Sequence, residues 1–352
     1  MSLTRGRVRI LFLSDTHLGL DLPQRPRVAR RRRGPEFFAA LDRALAPAAR
    51  GEVDLVVHGG DVFFRSRVPP GLVERAFAPL KAVADGGVPV CVVPGNHERS
   101  AIPHPLLAAH PGIHVFDRPR TFGLTVGGLT FALAGFPFVR HGLQGSFARL
   151  VESTGWRDVP ADARLLCLHQ CVEGATVGPQ GYVFREGDDV IRGQELPGAF
   201  AAVLAGHVHR HQILTRDLRG RDLPAPVLYA GSTERTSFAE RGEAKGFLRL
   251  EVEADGSGRG RLTRVRFQEL PTRPMAQVPL PADRIAGPAL GPALSTLLAR
   301  QHPDAIVRLK IHGPAPGGLP TDLRAETLRR LVPPTMNVSV RWTEDPRWRV
   351  DV

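Results

Sequence analysis

Cysteine, tyrosine, tryptophan and lysine are all scarce in this chain of 352 residues, and each scarcity excludes something. The three cysteines, Cys91, Cys167 and Cys171, sit in or beside apolar runs and are too few for a disulfide framework. Cys167 reads as a buried strand residue, which argues against pairing it with Cys171 on a metal. With two tyrosines and three tryptophans, no stacking platform for single-stranded bases is evident. No apolar run approaches the roughly 20 residues that span a bilayer. The apolar stretch at 10–13 is too short for a signal-peptide core and runs straight into a polar motif. A cytoplasmic protein with no membrane partner is expected. The only lysines are Lys81, Lys245 and Lys310, so a net charge of +12 is carried almost entirely by arginine. That charge favours a polyanionic partner, nucleic acid above all, although arginine in an Ala-, Gly- and Pro-rich chain also reflects coding bias.

The length suits one large domain and a small one. Strands are expected over 8–14, 53–58 and 88–93, alternating with helices over 36–49 and 71–84, which indicates a layered α/β fold. Further strand-like runs fall at 131–136, 164–168, 201–205 and 227–229. A hairpin is expected from 247–252 and 262–267 through Asp255-Gly256-Ser257-Gly258. After about Gln268 prolines crowd the chain, from Pro271 to Pro292, as in a linker and the opening of a small domain. A strand at 306–311, a helix at 321–331 and a strand at 338–342 then predict a compact α+β unit. The expected division is 1–268 and 269–352. The densest charge run, six arginines between Arg25 and Arg33, is expected to be a solvated loop.

Five polar motifs each end an apolar, strand-like run. They are Asp15-Thr16-His17, Gly60-Asp61, Gly95-Asn96-His97-Glu98, His169, and Gly206-His207-Val208-His209. In open α/β sheets the carboxyl edge is where loops converge on one crevice, so five distant segments would deliver oxygen and imidazole donors to one place. Such a set suits manganese, iron or zinc better than magnesium or calcium. Seven donors (Asp15, His17, Asp61, Asn96, His169, His207, His209) are too many for one ion and about right for two sharing a carboxylate, for which Asp61 is the choice. Two such ions would activate water for in-line attack on a phosphoester. Gly60, Gly95 and Gly206 allow sharp turns close to the ions. His58 and His211 adjoin the motifs and are candidates for a supporting layer.

At these residues the sequence resembles the calcineurin-like metallophosphoesterase superfamily, whose blocks run Asp-x-His, Gly-Asp, Gly-Asn-His-Asp/Glu, His and Gly-His-x-His. The resemblance implies a two-sheet β-sandwich flanked by helices with a dinuclear site. Within that superfamily it is most similar to the SbcD-type DNA-repair nucleases, on residues 14–19, residues 60–63, the stretch Tyr229 to Phe238 with Lys245-Gly246-Phe247, and a small domain placed like a capping domain. It implies that Asp15, His17, Asp61 and His209 hold one ion, and that Asp61, Asn96, His169 and His207 hold the other. His97 would not be a ligand but would protonate the leaving oxygen or stabilise the transition state, with Glu98 helping to orient it. The resemblance also implies an SMC-like ATPase partner. The chain, however, leaves little room after the small domain for a helical docking segment, and a homodimer stays open.

The nuclease reading expects a basic surface near the site. Arg65, Arg99 and Arg210 are the candidate nucleic-acid contacts, with Arg67 and Arg140 on nearby loops. Binding to DNA would then be mainly through phosphates and strongly salt-dependent. Two other readings use the same motifs. One is a phosphodiesterase or phosphatase acting on a small molecule or phosphoprotein; the other is a non-catalytic scaffold, which would ordinarily have lost ligands that are all present here.

Overall fold

The computed structural model describes residues 6–26, 29–281, 290–312 and 320–343. Arg27 of the charge run and Pro288 of the proline-rich segment lie outside them. The chain opens β1 (Arg7–Leu13), α1 (Gly34–Ala49), β2 (Leu55–His58), α2 (Pro70–Asp85), β3 (Val90–Val92), α3 (Pro105–Ala108) and β4 (Ile113–Val115). It continues β5 (Arg120–Val126), β6 (Leu129–Gly135), α4 (Phe147–Glu152) and β7 (Ala163–His169). Four two-residue strands follow: β8 (Cys171–Val172), β9 (Thr176–Val177), β10 (Tyr182–Val183) and β11 (Val190–Ile191). Then come β12 (Ala202–Gly206), β13 (Gln212–Arg216), β14 (Asp222–Tyr229), β15 (Gly246–Glu253) and β16 (Arg261–Glu269).

These strands build two six-stranded sheets, ordered β16-β15-β1-β2-β3-β4 and β13-β14-β12-β7-β6-β5. In each, four strands run parallel (β1 to β4; β6, β7, β12 and β14), with antiparallel neighbours outside them. The inner parallel strands β3 and β12 are buried on both faces, and their sequences are accordingly the apolar runs Val90–Val92 and Ala202–Gly206. One apolar layer, with Ile10, Phe12, Val57, Leu133, Leu165 and Leu204, joins the two sheets face to face. On the outer face of the first sheet, α1 and α2 bury Phe37, Leu41, Leu45, Val73, Phe77 and Leu80, spaced three or four apart along each helix. Pro35 and Pro70 fall in the first turns of these helices, where a missing N–H costs nothing. On the outer face of the second sheet, α4 packs Phe147 and Val151 with Trp156 and Phe200. The alternation of strands and helices therefore folds as two sheets between helices rather than as one doubly wound sheet.

Of the described residues, 6–22, 33–236 and 243–271 form one compact unit; 23–26, 29–32, 237–242, 272–281, 290–312 and 320–343 form a second. The second holds a parallel sheet of β17 (Met275–Pro281), β18 (Ile306–His312) and β19 (Asn337–Thr343), with α5 (Leu290–Ala299) and α6 (Ala325–Leu331). Leu280, Leu290, Leu294, Leu298, Val307, Leu309, Ile311 and Leu328 make its own core. The proline-rich segment, expected to be a linker and the opening of a small domain, carries β17. Pro279 and Pro281 are two apart on an edge strand, so their missing N–H groups both face away from the ladder. The expected helix at 321–331 is broken into a 3-10 turn (Thr321–Leu323) and α6. The arginine run is not wholly a solvated loop either. Arg33 is buried, donating to the Arg235 carbonyl at 2.6 Å with Glu36 and Glu234 at 3.5 and 3.6 Å, and Arg31 pairs with Asp304 at 2.9 Å. Among the described residues no helix is long and apolar enough to cross a membrane.

Candidate metal centre

The five motifs leave the carboxyl ends of β1, β2, β3, β7 and β12, and the loops that carry them are tied to one another by backbone bonds. The Asp15 amide donates to the Gly60 carbonyl at 2.9 Å and the His17 amide to the Asp61 carbonyl at 3.0 Å. The His207 amide reaches Asp15 Oδ1 at 3.1 Å, across the two sheets. Such crowding leaves no space for ordinary side chains at the turns. A methyl group at Gly95 would lie 2.2 Å from Asp61 Oδ1, and one at Gly60, where φ is +103°, would lie 2.4 Å from His169 Nδ1. Asp15, His17, Asp61 and His207 themselves hold left-handed backbone, with φ of 54°, 45°, 51° and 84°. For residues with a Cβ this is strained, and strain of this kind collects at functional sites.

The donor atoms form three overlapping groups, each within 4.8 Å: Asp15, His17 and His209; His17, Asp61 and His97; Asp61, His169 and His207. Asp61 lies at the centre. Its Oδ2 is 3.4 Å from His169 Nε2, 3.8 Å from His17 Nε2 and 3.9 Å from His97 Nε2. At one end His17 Nε2 and His209 Nε2 approach to 2.9 Å, with His209 Nε2 3.8 Å from Asp15 Oδ1. At the other, Asn96 Oδ1 lies 3.0 Å from His169 Nε2 and 2.8 Å from His207 Nδ1. The structure thus brings together every residue expected to ligate.

Hydrogen bonds behind the donors fix which nitrogen faces inward. His169 Nδ1 donates to the Gly59 carbonyl at 2.7 Å, presenting Nε2 to Asp61. His97 Nδ1 donates to the Phe64 carbonyl at 2.7 Å, and its backbone amide donates to Asp61 Oδ1 at 2.9 Å, so its Nε2 faces the groups around Asp61. His97 is partly exposed where His17 and His169 are buried, the position of a group that meets a substrate.

Charge is unevenly distributed. Burial raises the Asp15 carboxyl above its ordinary value. Burial would do the same to Asp61, but His169, His17 and His97 hold it well below the usual carboxylate range. Burial opposes the His169 cation; the Asp61 charge and hydrogen bond outweigh it and raise His169 to about 9. Burial, reinforced by His169, drives His207 down to about 3, leaving it neutral. Two carboxylates, an amide oxygen and buried imidazoles at this spacing match the donor preferences of divalent transition ions, and the residues fit a dinuclear site.

Three supporting residues differ from, or add to, the sequence reading. Glu98 is aimed not at the His97 ring but at backbone amides, accepting from Gly95 at 2.7 Å, Phe63 at 2.6 Å and Asp61 at 3.1 Å. It therefore clamps the loop carrying Asp61 to the loop carrying Asn96. Burial and the Asp61 charge push its carboxyl up to about 8. His58, held neutral at about 3 by burial, accepts from the Gly60 amide through Nδ1 at 3.2 Å and donates through Nε2 to Thr16 Oγ1 at 3.0 Å. Its place beside Gly59-Gly60 was the signal. His211 is set further back, stacked on Phe267 with ring centroids 4.2 Å apart. Of the arginines, Arg65, Arg67, Arg99 and Arg140 are exposed. Arg210 is half-buried, its Nε bonded to Glu243 Oε1 at 3.1 Å and its Nη2 to the Gly178 carbonyl.

Comparison with known proteins adds a family and relatives. Residues 8–211 match the model of the calcineurin-like phosphoesterase family. A DNA double-strand break repair protein Mre11 of Haloferax volcanii is 28% identical over 272 residues, covering 77% of this chain and 54% of that protein. One of Thermoplasma acidophilum is 25% identical over 328 residues, covering 86% of this chain and 76% of that protein. A Bacillus subtilis protein named as one of the subunits of the nuclease SbcCD is 28% identical over 268 residues, covering 68% of this chain and 64% of that protein.

Proposed function

The chain belongs to the calcineurin-like phosphoesterase family, and from that premise we propose that it is a metal-dependent DNA phosphodiesterase, an exonuclease or endonuclease of DNA repair. The observation that carries the reading is Asp61 Oδ2, set 3.4 to 3.9 Å from three imidazole nitrogens and shared between two donor groups. In this reading Asp15, His17, Asp61 and His209 hold one ion, Asp61, Asn96, His169 and His207 hold the other, and manganese is the ion of choice. Two bound ions supply a water acidic enough to attack at neutral pH and offset charge on the phosphoryl oxygens.

The chain's own residues do the rest. His97, its Nδ1 proton tied to the Phe64 carbonyl, offers Nε2 to the leaving oxygen as a proton donor or charge stabiliser. Glu98 and His58 keep the ligand-bearing loops in register. Exposed Arg65 and Arg99 are the phosphate-backbone contacts; Arg210, committed to Glu243, is a bracing residue instead. The DNA substrate draws on relatives named for break repair and on a net charge of +12. Residues 1–268 are the nuclease domain and residues 269–352 a capping domain, a division supported by the separate core of the second unit. A partner protein, an SMC-like ATPase, fits a relative that is itself named as part of a larger nuclease.

The test gives manganese to metal-free protein with linear duplex DNA, single-stranded DNA, bis-(p-nitrophenyl) phosphate and a phosphomonoester side by side. Manganese-dependent cleavage of DNA is expected. Turnover of the monoester alone would overturn the nuclease reading, and two bound ions without any turnover would make the protein a scaffold.

A further inference from the structure

His209 is held differently from the other two imidazoles of the second sheet. His169 ends a ladder strand and His207 follows one directly, but His209 lies three residues past the end of β12 at Gly206, and its ring is a quarter exposed. Its backbone is held from behind by a segment far along the chain. The Ser232 amide donates to the His209 carbonyl at 3.1 Å, and Lys245 Nζ donates to the same oxygen at 2.9 Å. Lys245 is fully buried and lies 3.0 Å from Glu243 Oε2. Glu243 Oε1 accepts from Arg210 Nε at 3.1 Å, so one carboxylate joins the lysine behind His209 to the residue just after it. The Arg235 guanidinium closes the strap on the Glu243 carbonyl at 3.0 Å, and Thr236 Oγ1 stands 3.5 Å from His209 Nδ1.

Burying an ammonium is costly unless it is paired and hydrogen-bonded. One of the chain's few lysines is committed in this way to the carbonyl of a donor residue. We infer that Lys245, held by Glu243, is a positioning residue that sets His209 and so controls one metal position of the pair, that of Asp15, His17 and His209, leaving the position at Asn96, His169 and His207 intact. This rests on the dinuclear reading above. It also gives a physical meaning to Ser232, Arg235, Glu243 and Lys245, which brace the His209 backbone from behind.

The experiment titrates metal-free full-length protein with manganese alone, by calorimetry and by electron paramagnetic resonance. The unsubstituted protein is expected to take up two ions and show an exchange-coupled pair. Lys245→Met, in which Glu243 keeps Arg210 as its partner, should bind one ion as before and the second about 10- to 100-fold more weakly, the range for loss of a residue that orients a ligand. At one equivalent it should give an isolated-ion spectrum. Its maximal rate on bis-(p-nitrophenyl) phosphate should return at saturating manganese, whereas damage to the fold would lower that maximum. Glu243→Gln should repeat the pattern more weakly, and it decides the matter if Lys245→Met does not fold by circular dichroism. Two ions bound by Lys245→Met with unchanged affinities, or both weakened alike, would overturn the inference. A single ion on the unsubstituted protein would instead overturn the dinuclear reading beneath it.

Discussion

The two sheets of the larger unit contribute unlike chemistry to one crevice. The first supplies every oxygen donor, Asp15, Asp61 and Asn96, together with His17 and His97; the second supplies only imidazoles, His169, His207 and His209. Negative charge thus arrives from one side and neutral or cationic donors from the other, and two of the three donor groups, Asp15-His17-His209 and Asp61-His169-His207, are completed only across the crevice. Binding is coupled to the packing of one sheet on the other, through the apolar layer of Ile10, Phe12, Leu165 and Leu204. Within the first edge Asp61 serves both halves of the site, which no residue of the second edge does.

The largest expected effect breaks this asymmetry at its centre. Asp61→Ala should lose both ions and lower cleavage by about four orders of magnitude, roughly 5 kcal/mol of barrier, while His207→Ala should lose one ion. Equal loss from both variants, measured by metal analysis after dialysis, would erase the distinction between the edges. Next in size is His97→Ala, which should keep both ions and slow cleavage by about 10²- to 10⁴-fold. Full activity would remove His97 from the chemistry and leave the first edge with ligands only.

Acidity sharpens the contrast further. In metal-free protein His169 is raised to about 9 from an ordinary 6.5, so its cation stabilises the fold fully below 6.5 and that contribution fades as pH climbs to 9. Metal binding runs the other way, because a ligating nitrogen must be unprotonated. Manganese affinity should therefore rise between pH 6.5 and 9 as the His169 proton is displaced, that proton alone contributing up to about ten-fold per unit. A flat calorimetric profile would show that His169 is neutral before metal arrives. The smallest effect lies outside the crevice. Arg99→Ala should weaken duplex binding a few-fold and reduce its salt slope by about 1, with bis-(p-nitrophenyl) phosphate hydrolysis unchanged.

The donors were legible in the sequence because each lies at or within four residues of the carboxyl end of an apolar strand, where the chain has little freedom to be elsewhere. The hairpin of β15 and β16 was legible for a similar local reason, its Asp-Gly-Ser-Gly turn. What was not legible depends on groups that meet only after folding. Glu98 reads as a neighbour of His97 in sequence but reaches amides on two loops, one of them 37 residues away. Lys245 meets a carbonyl 36 residues upstream, and Glu243 pairs with Arg210 33 residues upstream. Proline count hid β17, since an edge strand tolerates what an inner one does not, and the stacking of two sheets leaves no periodic trace.

The left-handed backbone at Asp15, His17, Asp61 and His207 has a consequence for how such a protein can decay. At each of these positions glycine is the relaxed residue, and exchange to it would relieve strain of about 1 kcal/mol or more. At Asp15 and Asp61 that relief is set against the backbone amides of His207 and His97, which would lose their carboxylate acceptor. Backbone relaxation and chemical competence pull against each other at these four positions, and the chain keeps a side chain at all of them.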